Sequence, residues 1–169
     1  MQKDNIFLIG LMGTGKTTVG RQLARRLKMD FYDSDRVIED RTGADIPLIF
    51  EKEGEAGFRR REKAIIDELT QKDNIILATG GGAILDPDNR QRLKDRGTVF
   101  YLKSNLDTLV ARTSRDKTRP LLHADEPAEI ILRRLLEQRG PLYEETADHI
   151  IENVNNSIHD VIQAIIKRL

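Results

Sequence analysis

Cysteine is absent from the 169 residues of this chain, which excludes disulfides, thiolate nucleophiles and Cys-based zinc or iron–sulfur centres. Histidine is scarce as well. His123, His149 and His159 are scattered, none has a partner at metal-ligand spacing, and no Ser–His–Asp arrangement competes for a catalytic role. An excess of one charge is also missing: 28 basic residues meet 28 acidic ones and the formal net charge is zero. Without a global field, neither nucleic acid nor an anionic membrane is indicated as a partner. No apolar run approaches the roughly 20 residues that a membrane span needs. The polar opening Met1-Gln2-Lys3-Asp4-Asn5 has no apolar signal-peptide core, so a cytoplasmic location is expected, in keeping with a cysteine-free chain. There is no internal repeat and no low-complexity linker. The length suits one domain of the common class of about 100–200 residues, and the lack of a strong exposed apolar stripe favours a monomer.

What is present starts with Gly10-Leu11-Met12-Gly13-Thr14-Gly15-Lys16-Thr17. This stretch follows the apolar run Ile6-Phe7-Leu8-Ile9 and opens onto a helical pattern with Val19, Leu23 and Leu27 at four-residue spacing. It is the pattern G-x-x-x-x-G-K-[ST] between a buried strand and a helix. The glycines let successive backbone N–H groups face one anion-sized concavity. The helix adds its unpaired N–H groups and the positive end of its dipole. Gly13, Thr14, Gly15 and Thr18 therefore belong to a nucleotide site, in which Lys16 can reach the β- and γ-phosphates and the Thr17 hydroxyl can ligate Mg²⁺.

Strand and helix patterns alternate along the rest of the chain. Strands are expected at about 5–9, 30–33, 74–79, 98–102 and 148–151, and helices at about 16–28, 35–43, 46–53, 55–72 and 88–96. A long helical pattern over 126–147 is interrupted at Arg139-Gly140-Pro141, which puts an arginine at an expected kink. A closing helix carries Ile158, Val161, Ile162, Ile165, Ile166 and Leu169 on one face, with Ser157 and Asp160 at capping-box spacing. Continuous rather than alternating apolar strands point to a sheet buried on both faces, hence a three-layer α/β domain with a parallel sheet.

Ligands of such sheets lie beyond the carboxyl ends of the strands. There the chain offers Asp33-Ser34-Asp35 and Gly80-Gly81-Gly82. Two carboxylates with one residue between them project in different directions, so one can face a metal and phosphates while the other faces a second substrate. Either can instead cap the next helix. Three glycines fit a place where another molecule approaches the backbone closely, or a flexible turn. In Arg59-Arg60-Arg61-Glu62 the i, i+3 pair Arg59–Glu62 can hold a guanidinium in one orientation, as bidentate recognition of a carboxylate or phosphate requires. The basic stretch around Arg112, Arg115, Lys117 and Arg119, ended by Pro120, reads as a lid over about 112–125 beside the triphosphate.

Taken in order, GLMGTGKT at 10–17, DSD at 33–35, GFRRRE at 57–62, GGG at 80–82, RPLL at 119–122 and RGPLYEETA at 139–147 resemble the shikimate kinases, a family with the P-loop, nucleoside-monophosphate-kinase-like fold. The resemblance spans nearly the whole chain. It implies a five-stranded parallel sheet in the order 2-3-1-4-5 and an acceptor-binding segment at about 34–62. It also implies transfer of the ATP γ-phosphoryl group to the 3-hydroxyl of shikimate, a step of aromatic amino-acid biosynthesis. By position, Lys16 would hold the phosphates, Thr17 and Asp33 would serve Mg²⁺, and Asp35 would orient the attacking hydroxyl or accept its proton. Arg59 and Arg139 would clamp the acceptor carboxylate, and Gly80, Gly81 and Gly82 would present backbone to the ring. Arg119 would arrive with the lid, and Arg112 and the loop at Asn153 to Asn156, Asn155 included, would meet adenine. The rivals are a gluconate-type kinase, which should lack the paired arginine motifs, a nucleoside-monophosphate kinase, and a guanine-nucleotide switch, for which no Asn-Lys-x-Asp string exists here.

Overall fold

In the computed structural model, which describes residues 4–113, 126–153 and 157–169, the apolar runs become one parallel sheet. Strands β1 (Ile6–Ile9), β2 (Asp30–Asp33), β3 (Ile75–Ala78), β4 (Thr98–Lys103) and β5 (His149–Glu152) pair in the order β2-β3-β1-β4-β5. This is the order the resemblance implied. The helices are α1 (Lys16–Leu27), α2 (Ser34–Thr42), α3 (Ile46–Thr70), α4 (Pro87–Arg96), α5 (Leu106–Thr113), α6 (Ala128–Thr146) and α7 (Ile158–Lys167), with a short 3₁₀ turn at Ala83–Leu85.

The continuous apolar strands are explained by what covers them. In the pleat, Phe7, Ile9, Leu77, Val99 and Tyr101 point to one face, where they pack with Ile38 of α2, Phe58 and Ile66 of α3, Leu93 of α4, Leu109 of α5 and Leu132 of α6. Ile6, Leu8, Ile76, Phe100 and Leu102 point to the other, against Val19 and Leu23 of α1 and Val161, Ile162 and Ile165 of α7. Strands covered on both sides have no need of a polar alternate. The edge strands β2 and β5 keep partly exposed positions along their length, whereas β4 does so only at its two ends, Thr98 and Lys103.

Two local outcomes refine the expectations from sequence. The two helical stretches expected on either side of Gly54 meet at a kink within α3, where Gly54 adopts φ 73° and ψ 177°. The interruption expected at 139–141 is absent, because α6 runs through Pro141 without a break. Pro141 and the carbonyl four residues earlier, on Glu137, both lie on the exposed side of α6. Water can therefore satisfy the acceptor that the missing N–H would have served. The buried face of α6, through Ile131, Leu132, Leu135, Arg139, Tyr143 and Thr146, keeps the helix on the sheet.

Candidate active site

The carboxyl ends of β1, β2 and β3 converge, and the chain leaving each supplies one part of a divided cleft. After β1 the backbone turns through Gly13 (φ 86°) and Gly15 (φ 90°), conformations that a side chain would strain. Gly15 then caps α1 with no side-chain hydrogen bond, and no acidic residue stands in the first turn. By contrast α2, α4 and α7 are capped by Asp33, Asp86 and Ser157. A positive helix end without a side-chain cap, curled under a glycine loop, is built for an anion.

The loop is held by groups from distant parts of the chain. Lys16 Nζ donates to the carbonyls of Gly10 (2.7 Å) and Leu11 (2.9 Å), and the Thr14 hydroxyl turns inward to the Leu11 carbonyl at 3.0 Å. Arg112, in the last turn of α5, donates to the Gly13 carbonyl at 3.1 Å. Asn153, just past β5, donates through Nδ2 to the Thr14 carbonyl at 2.7 Å. Nothing in the residue order signals this staple beyond the polar loop that follows it. Thr18 joins Gly13, Gly15, Lys16, Thr17, Asp33 and Thr79 in lining a cleft of about 570 Å³ open to solvent.

At the end of β2 the two acidic residues separate in role. Asp33 caps α2, its Oδ1 accepting from the Asp35 and Arg36 N–H groups at 3.0 and 3.3 Å, while its Oδ2 accepts from the Thr17 hydroxyl at 2.6 Å. One carboxylate thus both caps the helix and faces the glycine loop, two possibilities that the sequence leaves as alternatives. Among the described residues no cluster of three or more His, Cys, Asp or Glu side chains could hold a metal ion alone. The Thr17 and Asp33 oxygens nonetheless form a hard donor pair at the phosphate end of the loop. That suits Mg²⁺, which keeps several waters and takes one or two protein oxygens beside phosphate.

Asp35 faces the other way, toward Gly80 and Glu62. A methyl group placed on Gly80 would stand 2.7 Å from Asp35 Oδ1 and 3.0 Å from Glu62 Oε2. A methyl on Gly82 would overlap the Arg59 guanidinium. The second cleft, about 440 Å³, is lined by Met12, Ile46, Phe50 and Phe58 on its apolar side and by Arg59, Glu62 and Arg139 on its polar side. Asp35, Gly80 and Gly81 line both clefts.

The two arginines differ in their electrostatic setting. Arg59, its side chain 24 % exposed, is paired with Glu62 at 2.9 Å and Glu55 at 3.3 Å. Arg139 is 4 % exposed, and among the described residues no carboxylate comes within ion-pair distance of it. Its Nε is buried without a hydrogen-bond partner. Glu62 is pushed up to about 7 by burial, with Asp35 adding to the shift and Arg59 and Arg139 opposing it. The second cleft therefore holds a buried guanidinium that has no ion-paired carboxylate among the described residues, a setting suited to a bound anion.

Of the residues singled out from sequence, Gly13, Thr14, Gly15, Lys16, Thr17, Thr18, Asp33, Asp35, Gly80, Gly81 and Arg112 gather around the first cleft, and Arg59, Gly82 and Arg139 complete the second. Arg119, with most of the expected lid, and Asn155 lie outside the described residues. Tyr143 stands within the RGPLYEETA motif, where the sequence assigns it no role. It is fully buried, stacks on Tyr101 with ring centroids 4.9 Å apart, and donates a hydrogen bond to the Gly81 carbonyl. Its place one helical turn after Arg139 is the one local signal of that role.

Comparison with known proteins matches this arrangement. The family model described as "Shikimate kinase" matches residues 12–169. A shikimate kinase of Pseudoalteromonas atlantica is 54 % identical over 168 residues, covering 99 % of this chain and 98 % of the relative. One from Vibrio parahaemolyticus is 52 % identical over 168 residues, with 99 % and 97 % covered. Among solved structures, shikimate kinase from Acinetobacter baumannii in complex with shikimate superposes with a TM-score of 0.94 at 51 % identity, covering 97 % of this chain and 91 % of that one. With a phosphate loop, a divided cleft and full-length similarity in agreement, this chain belongs to the shikimate kinase family.

Proposed function

We propose that this protein transfers the γ-phosphoryl group of ATP to the 3-hydroxyl of shikimate, giving shikimate 3-phosphate and ADP. The observation that carries this reading is the meeting of a phosphate-loop cleft with a cleft holding the buried Arg139, which has no ion pair among the described residues, at the shared wall of Asp35, Gly80 and Gly81. An anionic acceptor bound on Arg139 and Arg59 would present a hydroxyl across that wall to the end of a triphosphate.

Phosphoryl transfer to an alcohol requires in-line positioning and dispersal of negative charge. Lys16 would leave the Gly10 and Leu11 carbonyls to meet the β- and γ-phosphates, and the first turn of α1 would supply N–H groups. Thr17 and, through water, Asp33 would hold Mg²⁺, which would supply neutralisation of the negative charge on the phosphates. Asp35 would accept a hydrogen bond from the attacking hydroxyl and take its proton late, when bond formation has already acidified it. Gly80, Gly81 and Gly82 give the ring room that any side chain would fill. Arg112 beside the loop, Asn155 and the lid residue Arg119 are proposed for the adenine and phosphate ends by resemblance alone. The six exposed large apolar residues among the described ones, which include Leu48, Leu85 and Ile130, are spread over several elements, in keeping with a monomer, and a cytoplasmic location is proposed.

ADP release measured with shikimate, gluconate and nucleoside monophosphates in parallel, with a no-acceptor control, tests the reading. Turnover should depend on shikimate and Mg²⁺. Equal or faster turnover with gluconate or a monophosphate would reject it.

A further inference from the structure

Arg139 and Gly81 come from α6 and from the loop after β3, yet one side chain touches both. The Tyr143 hydroxyl donates to the Gly81 carbonyl, and the Arg139 guanidinium lies within interaction range of the same phenol oxygen. A methyl group placed on Gly81 would stand 3.5 Å from Arg139 Nη1 and 3.7 Å from the Tyr143 hydroxyl oxygen, so guanidinium and phenol flank this glycine together. The phenol cannot drift, because its ring is fully buried and stacked on Tyr101 of β4. Burial raises its pKa, against the effect of Arg139, so it remains a neutral donor at physiological pH.

No carboxylate among the described residues orients Arg139, in contrast to the pairing of Arg59 with Glu62 and Glu55. A long side chain without an ion pair loses its aim unless something else holds it. We propose that Tyr143 is a positioning residue that ties the Arg139 guanidinium to the Gly81 backbone, so that the anion-binding cation and the wall between the two clefts move as one unit. The acceptor carboxylate is then held at a set distance from the wall over which its hydroxyl must react. Sequence neighbours make this possible: Arg139 and Tyr143 are one helical turn apart, on the same buried face.

The proposal rests on the acceptor being a carboxylate held by Arg139, so wild-type turnover with shikimate is measured first; its absence rejects the proposed function. With that activity in hand, Tyr143→Phe keeps the ring and removes only the hydroxyl. Shikimate KM and the calorimetric Kd should rise roughly tenfold, about the worth of one hydrogen bond to a charged group, while ATP KM stays unchanged. A lower melting temperature with shikimate affinity unchanged would show a purely structural phenol and overturn the proposal. In an Arg139→Ala background the same change should add less than about twofold, since the effect passes through Arg139. A full tenfold addition would also overturn it. Should Tyr143→Phe fail to fold, wild type labelled with ¹³C at the tyrosine ζ carbons replaces it, with resonances assigned through Tyr32→Phe and Tyr101→Phe. The Tyr143 signal should move with shikimate and not with ADP; an unmoved signal rejects the coupling.

Discussion

Replacing Arg139 by Ala removes the one guanidinium of the acceptor cleft that has no carboxylate partner among the described residues. Arg59 already shares its charge with Glu62 at 2.9 Å and Glu55 at 3.3 Å, so the two arginines should not be equivalent. Losing a desolvated partner of a bound charge costs about 2–5 kcal/mol. For Arg139, 4 % exposed and without a competing anion at hand, we expect the upper half of that range. That is a fall of about two and a half to three and a half orders of magnitude in kcat/KM for shikimate. For Arg59→Ala we expect the lower half, because removal of Arg59 also lets the neighbouring Glu62 take up a proton and cease to repel the acceptor. The assay is steady-state turnover with shikimate and with its neutral carboxamide, in wild type and in each variant. Wild type should discriminate strongly against the amide and Arg139→Ala much less, since a lost interaction cannot be lost twice and only the Arg59 contribution remains. A complementary readout is stability: Arg139→Met, which fills the space without the charge, should melt no lower than wild type, as a buried charge without an ion pair is costly to the empty protein. Undiminished amide discrimination in Arg139→Ala would refute the assignment of the carboxylate to this residue.

Three further outcomes follow from other contacts. Asp33→Asn should keep the cap on α2, since Asn caps as well as Asp, and leave the melting temperature near wild type while raising the Mg²⁺ concentration needed for half-maximal rate; an unchanged Mg²⁺ titration would remove Asp33 from the metal site. Gly82→Ala suffers no backbone strain at φ −96° but would displace the Arg59 guanidinium, so shikimate KM should rise roughly tenfold with the fold intact, a loss of the order of one charged hydrogen bond. Normal shikimate affinity in that variant would mean that the guanidinium position does not matter. Glu62 titrates near 7 in the folded chain against an ordinary value of 4.5, so its protonated form is favoured by folding. Its contribution is complete below pH of about 4.5 and is lost as pH rises through about 7, by about 3–4 kcal/mol at ~1.4 kcal/mol per pH unit. Chemical denaturation from pH 4.5 to 8 should therefore show a steeper loss of stability in wild type than in Glu62→Gln, and parallel curves would disprove the shift.

Much of the nucleotide side is legible in the chain alone, for a definite reason. A strand, a glycine loop and the first turn of a helix are contiguous, so the residue order Ile9 to Thr18 already dictates where the N–H groups, Lys16 and Thr17 can point. The Arg59–Glu62 pair is equally readable, because i and i+3 on a helix have a fixed separation that the fold does not alter. The acceptor side is different in kind. Arg139 and Tyr143 reach Gly81 across about sixty residues, and Asn153 reaches Thr14 across 139, because the sheet order brings the ends of β1, β3, β4 and β5 into one row. Apolar periodicity identifies strands without saying which strand lies beside which, and here the expected order came from family resemblance alone.

The chain by itself thus determined the phosphate loop, the alternation of strands and helices, the double-sided burial of the sheet and the oriented Arg59. Each of these depends on residues a few positions apart, whose geometry local backbone rules control. Only the tertiary structure decided that Asp33 both caps α2 and meets Thr17, that α6 continues through Pro141, and that Arg139 ends up buried without a carboxylate partner among the described residues. Charge balance, solvent access to a carbonyl and the identity of a distant neighbour are properties of packing. They exist only once the elements have been brought together.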